Sequence, residues 1–156
     1  MLTKSDLIYP NCCGAIANII VNNISVEKDG IDVKYFFDKD SEKAENLAIL
    51  SEGIAVLELE DMLDEVDLVL EAASPAALKG FALDVLSAGK DLMVMSVGAL
   101  MDVEFRESLI KCASENDAKI YAPSGAIVVR WAAPVPEEDE RMECWIWRVW
   151  IGKGCC

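Results

Sequence analysis

Between residues 31 and 122 the chain alternates between two hydrophobic periods. Residues 33–37 (VKYFF) are rich in β-branched and aromatic side chains and predict a strand ending at Asp38. Residues 41–50 repeat at helical spacing, with Ala44, Leu47 and Ala48 on one face. Gly53 stands where that helix should stop, and residues 54–57 predict a short strand. Residues 59–63 make a weak helical turn, and residues 67–71 (DLVLE) predict a buried strand. Ser74 offers an N-cap and Pro75 a first-turn proline. Leu78, Phe81, Ala82, Val85 and Leu86 then share a helical face that Gly89 closes. Residues 91–95 predict the next strand. Asp102 caps another helix, with Phe105, Leu109, Cys112 and Ala113 inward, and residues 118–121 predict a further strand.

Strands that alternate with helices imply an α/β fold with a parallel sheet and crossover helices on both faces. The near-continuous apolar strands agree, because a parallel sheet is buried on both sides. The 156 residues suit one ordinary domain, and 53% apolar residues are ample for its core. Two stretches fit less well. A central strand before residue 12 has only Leu7, Ile8 and Tyr9, followed by Pro10, which would remove a ladder hydrogen bond. All four tryptophans lie beyond residue 128, where EEDERME, WIWRVW and GKGCC match neither an alternating strand nor an amphipathic helix.

Charge and composition narrow the chemistry. A formal net charge of −14 repels phosphate backbones and anionic lipid, so neither nucleic acid nor a membrane surface is an expected partner. No apolar stretch approaches the ~18 residues of a transmembrane helix, and residues 1–13 lack a secretory pattern. The expected location is the cytoplasm. The six cysteines form two adjacent pairs and two singletons rather than a disulfide framework. With no histidine and no CxxC, a zinc site is not expected, and the commonest general acid–base group is missing.

The candidate chemistry lies in the loops after the strands. Cys12, Cys13, Gly14, Ala15, Ile16 and Ala17 occupy the place of a G-x-G-x-x-G/A dinucleotide turn. Gly14 suits the close approach to pyrophosphate and Ala17 the close helix–sheet packing, while Cys12 brings a Cβ to the tight turn. The helix that follows would offer amide donors to phosphate; a simple turn is the other reading. Asp38 ends the next strand 24 positions after Gly14, where an acid can bind the adenosine ribose. Lys39 beside it leaves NADP open as well as NAD. Three more loops follow strands: Ala73, Ser74 and Pro75; Ser96, Val97, Gly98 and Ala99; and Pro123, Ser124, Gly125 and Ala126. Their small residues leave room for a nicotinamide ring, although Ser74 also reads as an N-cap alone.

These residues together are similar to archaeal-type L-aspartate dehydrogenase. The matching text is CGAIAN (residues 13–18), FFDKD with EKAENLA (36–48), VDLVLEAASPAAL (66–78), GKDLMVMSVGALMD (89–102) and YAPSGAI (121–127). The resemblance implies a Rossmann-type doubly wound sheet, truncated before a second α/β domain. It implies NAD or NADP as cofactor, with Cys13, Gly14, Ala15, Ile16 and Ala17 at the pyrophosphate turn. Asp38 and Lys39 would lie at the adenosine ribose. Ala73, Ser74, Pro75, Ser96, Val97, Gly98, Ser124, Gly125 and Ala126 would complete the site, with Ala126 at the nicotinamide end. The implied reaction oxidises L-aspartate to iminoaspartate, which feeds NAD biosynthesis or yields oxaloacetate and ammonia. Full-length relatives would be homo-oligomers.

The chain departs from the family at both ends. Cys12 stands where the family has glycine. After residue 127 the family continues into a domain that supplies the catalytic histidine, and this chain has none. No catalytic residue is therefore assigned. The expected organisation is a cofactor-binding domain over residues 1–127 and an atypical tail over 128–156. Out-of-frame coding sequence would explain both ends; a native interface or a fusion tail is the other account. The functional alternatives are a non-enzymatic dinucleotide-binding remnant, a pseudogene product, and a homoserine dehydrogenase-like oxidoreductase.

Overall fold

The computed structural model describes residues 5–10, 13–24, 31–124, 127–131 and 144–146. Its strands are β1 (Ser5–Pro10), β2 (Ile31–Phe37), β3 (Ile54–Ala55), β4 (Leu68–Glu71), β5 (Asp91–Val94), β6 (Ile120–Ser124), β7 (Ile127–Trp131) and β8 (Cys144–Ile146). The helices are α1 (Ala15–Asn23), α2 (Ser41–Ser51), α3 (Glu60–Leu63), α4 (Pro75–Ser87) and α5 (Val103–Glu115). A 3-10 turn (Val97–Met101) precedes α5. Among the described residues no helix is long and apolar enough to cross a membrane.

The strands form one sheet in the order β3-β2-β1-β4-β5-β6-β7-β8. The first six run parallel to one another, whereas β7 runs antiparallel to both β6 and β8. The chain starts at β1, builds outward through β2 and β3, then returns to the other side of β1 to lay down β4, β5 and β6. The direction of winding reverses between β1 and β4, and ligands of such sheets bind outside the carboxyl ends of the strands at that point.

Two elements differ from the sequence reading. Pro10 does end a central strand. β4 pairs with Leu7 and Ile8, so Pro10 lies beyond that ladder and its missing N–H costs no bond on that side. Residues 144–146 form a strand against β7, in a stretch whose pattern indicated none. Three residues are too few for alternation to be legible.

Alternation along each strand divides the core in two. Val69, Leu92, Val94, Ile120 and Ala122 face α3, α4 and α5, packing with Met62, Leu78, Val85, Leu86 and Leu109. Leu68, Leu70, Met93 and Met95 face the other way, toward Ala17 of α1 and Ala44, Leu47 and Ala48 of α2. Strand β2 breaks the alternation. Val33 and Phe36, three residues apart, share the α1–α2 side, while Tyr35 faces the other. The β1–β2 register shifts here, with Leu7 opposite Val33 and Ile8 opposite Tyr35, so Lys34 is an extra residue that turns the side-chain order over. Phe36 is fully buried as a result, and such burial contributes about 2–3 kcal/mol.

Local chemistry sets the element ends. Ser74 accepts a hydrogen bond from the Ala77 amide at 3.2 Å, and Asp102 accepts one from the Phe105 amide at 3.2 Å. Both satisfy a donor that a helix start leaves without an intrahelical partner. Gly89 closes α4 at φ 71°. At the end of α2 the left-handed position falls on Glu52, at φ 57°, and not on Gly53. Gly53 is required for space instead. A Cβ there would stand 2.5 Å from the Phe36 ring and 2.8 Å from the Lys34 carbonyl. The bulged strand β2 can pass only a glycine.

Candidate functional site

Helix α1 opens at Gly14, whose extended conformation (φ −87°, ψ −158°) is the N-cap. Gly14 has no side chain with which to cap the helix, and the first turn of α1 carries no acid. Neither Gly14 nor the first turn of α1 therefore supplies an anion for the amides and the positive dipole end of the helix start. Ala17, fully buried, seats α1 against Phe36 and Leu70. Its methyl group belongs to the packed core and serves close helix–sheet packing. Ile16 points outward and is exposed. The Asn18 side-chain amide donates to the Gly14 carbonyl at 2.9 Å and reaches the Cys13 carbonyl at 3.5 Å, which secures the turn to its own helix.

The turn is also held from β2. The Cys13 amide donates to Oδ2 of Asp38 at 2.8 Å, and the Asp40 amide donates to Oδ1 at 2.9 Å. A carboxylate offers about four acceptor positions. These two bonds use one on each oxygen and leave capacity for hydroxyl donors. Asp38 is half-buried and Lys39 exposed. Phe37 and Lys39, on either side of Asp38, line a cavity of about 260 Å³ against α4. Ala76, Ala77, Gly80 and Phe81 form its α4 wall, Leu59 an apolar edge, and Glu58, Glu60 and Asp84 its acidic rim. A Cβ built at Gly80 would meet nothing within 4 Å, so that wall is open.

On the other side of the reversal, the loops after β4 and β5 meet on one side chain. Glu71, the last residue of β4, is fully buried. Its Oε1 accepts from the Ala73 amide at 2.6 Å and the Ser96 hydroxyl at 2.7 Å. Its Oε2 accepts from the Ser96 amide at 2.8 Å. In the sequence Glu71 reads only as the end of a strand. The available signal is an acid closing a buried apolar run directly before a small-residue loop. Ser74 is exposed and caps α4, and Pro75 occupies the first turn. Val97 and Gly98 open the 3-10 turn after Ser96. Ser124 ends β6, while Cys12, Gly125 and Ala126 lie outside the described residues.

The structure thus gathers Cys13, Gly14 and Asp38 into one hydrogen-bonded unit, and Ala73 and Ser96 into a second. Both lie at the carboxyl edge of the parallel strands. A doubly wound sheet with an uncapped glycine-turn helix and an aspartate ending the second strand defines the dinucleotide-binding class of α/β domain. The chain belongs to the family described as the homoserine dehydrogenase NAD-binding domain, whose model matches residues 12–123.

Among known proteins, the chain is 55% identical over 116 residues to an L-aspartate dehydrogenase of Methanothermobacter thermautotrophicus. That match covers 74% of this chain and 45% of the relative. It is 36% identical over 119 residues to an L-aspartate dehydrogenase of Methanosarcina barkeri, covering 74% of this chain and 43% of that one. Its structure is similar to the crystal structure of aspartate dehydrogenase from Thermotoga maritima, with a TM-score of 0.61 and 27% identity over 79% of this chain and 47% of that one. The chain spans less than half the length of the relatives it matches.

Proposed function

We propose that this chain is the cofactor-binding part of an NAD(P)-dependent L-aspartate dehydrogenase. The observation that carries the reading is the 55% identity to an L-aspartate dehydrogenase over 116 residues, long enough to take in most of the described strands and helices. The cofactor's pyrophosphate sits at the start of α1, on the amides of Ala15, Ile16 and Ala17, with Cys13 and Gly14 shaping the turn. Its adenosine ribose hydroxyls donate to Asp38, next to Lys39, and the adenine enters the cavity between Phe37 and α4. The nicotinamide half lies over the ends of β4, β5 and β6, against Ala73, Ser74 and Pro75, Ser96, Val97 and Gly98, and Ser124, Gly125 and Ala126.

When bound, the cofactor supplies the hydride-accepting ring. This chain supplies orientation and a shaped, partly apolar edge. The substrate is a small molecule, L-aspartate. Its oxidation gives iminoaspartate, which feeds NAD biosynthesis or hydrolyses to oxaloacetate and ammonia. The protein works in the cytoplasm, in an assembly of identical subunits. The charge of −14 supports a role away from nucleic acid and membrane surfaces. The cofactor unit runs over residues 1–127, followed over 128–156 by a tail of atypical composition, of which residues 128–131 and 144–146 pair onto the edge of the same sheet.

The second reading, a dinucleotide-binding module without turnover, draws on the absence of histidine from all 156 residues. One titration tests both. The purified chain should bind NAD with a 1:1 heat signal and should form no NADH when aspartate is added. Steady NADH formation from aspartate would show that this chain carries its own acid–base group and would remove the second reading. No heat on adding NAD or NADP would defeat both.

A further inference from the structure

A carboxylate with no access to solvent is costly unless both oxygens are well hydrogen-bonded, so a core strand position is normally filled by an apolar side chain. Glu71 fills one, between Leu70 and Ala72, and it is fully buried. Its bonds go in one direction only. Oε1 holds Ala73 of its own loop, while Oε1 and Oε2 together hold the hydroxyl and amide of Ser96 in the next. The Met95 amide donates to the Glu71 carbonyl at 2.9 Å, so main chain and side chain of one residue clamp the outgoing ends of β4 and β5.

The arrangement answers that at Asp38. Each carboxylate closes a strand and ties two loops at the carboxyl edge of the sheet. Asp38 joins the β1 turn to the β2 loop, and Glu71 joins the β4 loop to the β5 loop. A doubly wound sheet has two nucleotide-binding halves, divided where the strand order reverses. Asp38 belongs to one half and Glu71 to the other. Asp38 retains acceptor capacity on a half-buried side chain, whereas the fully buried Glu71 acts only through the loops it holds.

We infer that Glu71 is a positioning residue for the nicotinamide half of the cofactor, setting the spacing of the Ala73 and Ser96 loops. The inference rests on the proposed cofactor reading. Glu71→Gln keeps the volume but turns one acceptor into an amide donor that faces a backbone N–H. Ser96→Ala removes a single bond and leaves the carboxylate in place.

The test is calorimetric titration of the full chain and both variants with NAD and with ADP-ribose, which keeps the adenosine and both phosphates but lacks nicotinamide. Circular dichroism checks that each variant is folded. Wild type should bind NAD more tightly than ADP-ribose. Glu71→Gln should weaken NAD about tenfold and Ser96→Ala about threefold, as expected for one buried donor left unpaired and one bond lost. ADP-ribose should change less than about twofold in either. NAD and ADP-ribose weakening in the same proportion would show a merely structural role and overturn the inference. Unchanged NAD affinity in both variants would overturn it too, as would wild type binding the two ligands equally. If Glu71→Gln does not fold, Glu71→Asp, which keeps the charge but shortens the reach to Ala73 and Ser96, is titrated with both ligands and judged by the same criterion. If wild type binds neither ligand, the cofactor reading itself fails and the inference falls with it.

Discussion

The amide of Cys13 and the carboxylate of Asp38, 25 residues apart, are joined by a 2.8 Å hydrogen bond. The glycine turn and the end of β2 are therefore a single unit. What disturbs one disturbs the other, and a ligand that binds Asp38 is automatically in register with the start of α1.

Asp38→Ala should lower NAD affinity about 10- to 100-fold, because it removes a charged acceptor and the bond that ties the Cys13 amide to the end of β2. Calorimetric titration measures this. An affinity within twofold of wild type would remove Asp38 from the cofactor site.

NAD should bind more tightly than NADP, by about tenfold or more at low salt. A 2′-phosphate would be placed against the Asp38 carboxylate, beside a cavity whose rim has Glu58, Glu60 and Asp84 against Lys39. Competition titrations at two ionic strengths check this. The preference should narrow as salt screens the repulsion, and equal affinities at low salt would contradict it.

Glu52→Gly should stabilise the fold by about 1 kcal/mol, raising the melting temperature a few degrees, because Glu52 ends α2 in the left-handed region at φ 57°. Gly53→Ala next to it should do the opposite, since its Cβ would strike the Phe36 ring and the Lys34 carbonyl. Thermal melts of both variants give the two signs. Equal signs would mean that the Glu52–Gly53 geometry is wrong.

Asp102 is held below the usual aspartate value by a 2.6 Å bond from Lys79 and by the Phe105 amide that it caps. A carboxyl lowered on folding contributes stability that is full above the unfolded value, near pH 4, and fades as pH falls through the lower folded value. Asp102→Asn should thus lower the melting temperature at pH 7 and flatten its fall below about pH 4. The site is exposed, so the pH-dependent part should shrink in high salt. Parallel acid limbs for variant and wild type would exclude Asp102 from the acid response.

Where the deciding interaction spans one helical turn, the residues go far, although at the end of α2 the left-handed position falls on Glu52 and not on Gly53. Ser74 and Asp102 cap the helices that follow them because hydroxyl or carboxylate reaches an amide three residues on. Gly89 ends α4 because its backbone tolerates φ 71°. The DLVLE run declares a buried strand through its composition, and small residues after successive strands mark the ligand edge of the sheet. The α/β class and the loops of the candidate site are legible for this reason.

The rest depends on distances in space that the sequence does not carry. Pairing β1 with both β2 and β4 places Pro10 beyond the end of the β4 ladder. The one-residue shift beside Lys34 moves Phe36 to the α1–α2 core, which no alternation rule would assign. Asp38 can be picked out by its place after β2, but its bond to Cys13 exists only once two parallel strands lie side by side. The sequence marks Glu71 only as an acid that closes a buried apolar run, and does not show which loops it holds. A carboxylate's role is set by its donors, and Ser96 stands 25 residues away until β4 and β5 pair. Local hydrogen-bond chemistry acts over three or four residues and is written in order along the chain. Register and the loops that meet at the sheet edge are set by long-range closure, and only the tertiary structure decides them.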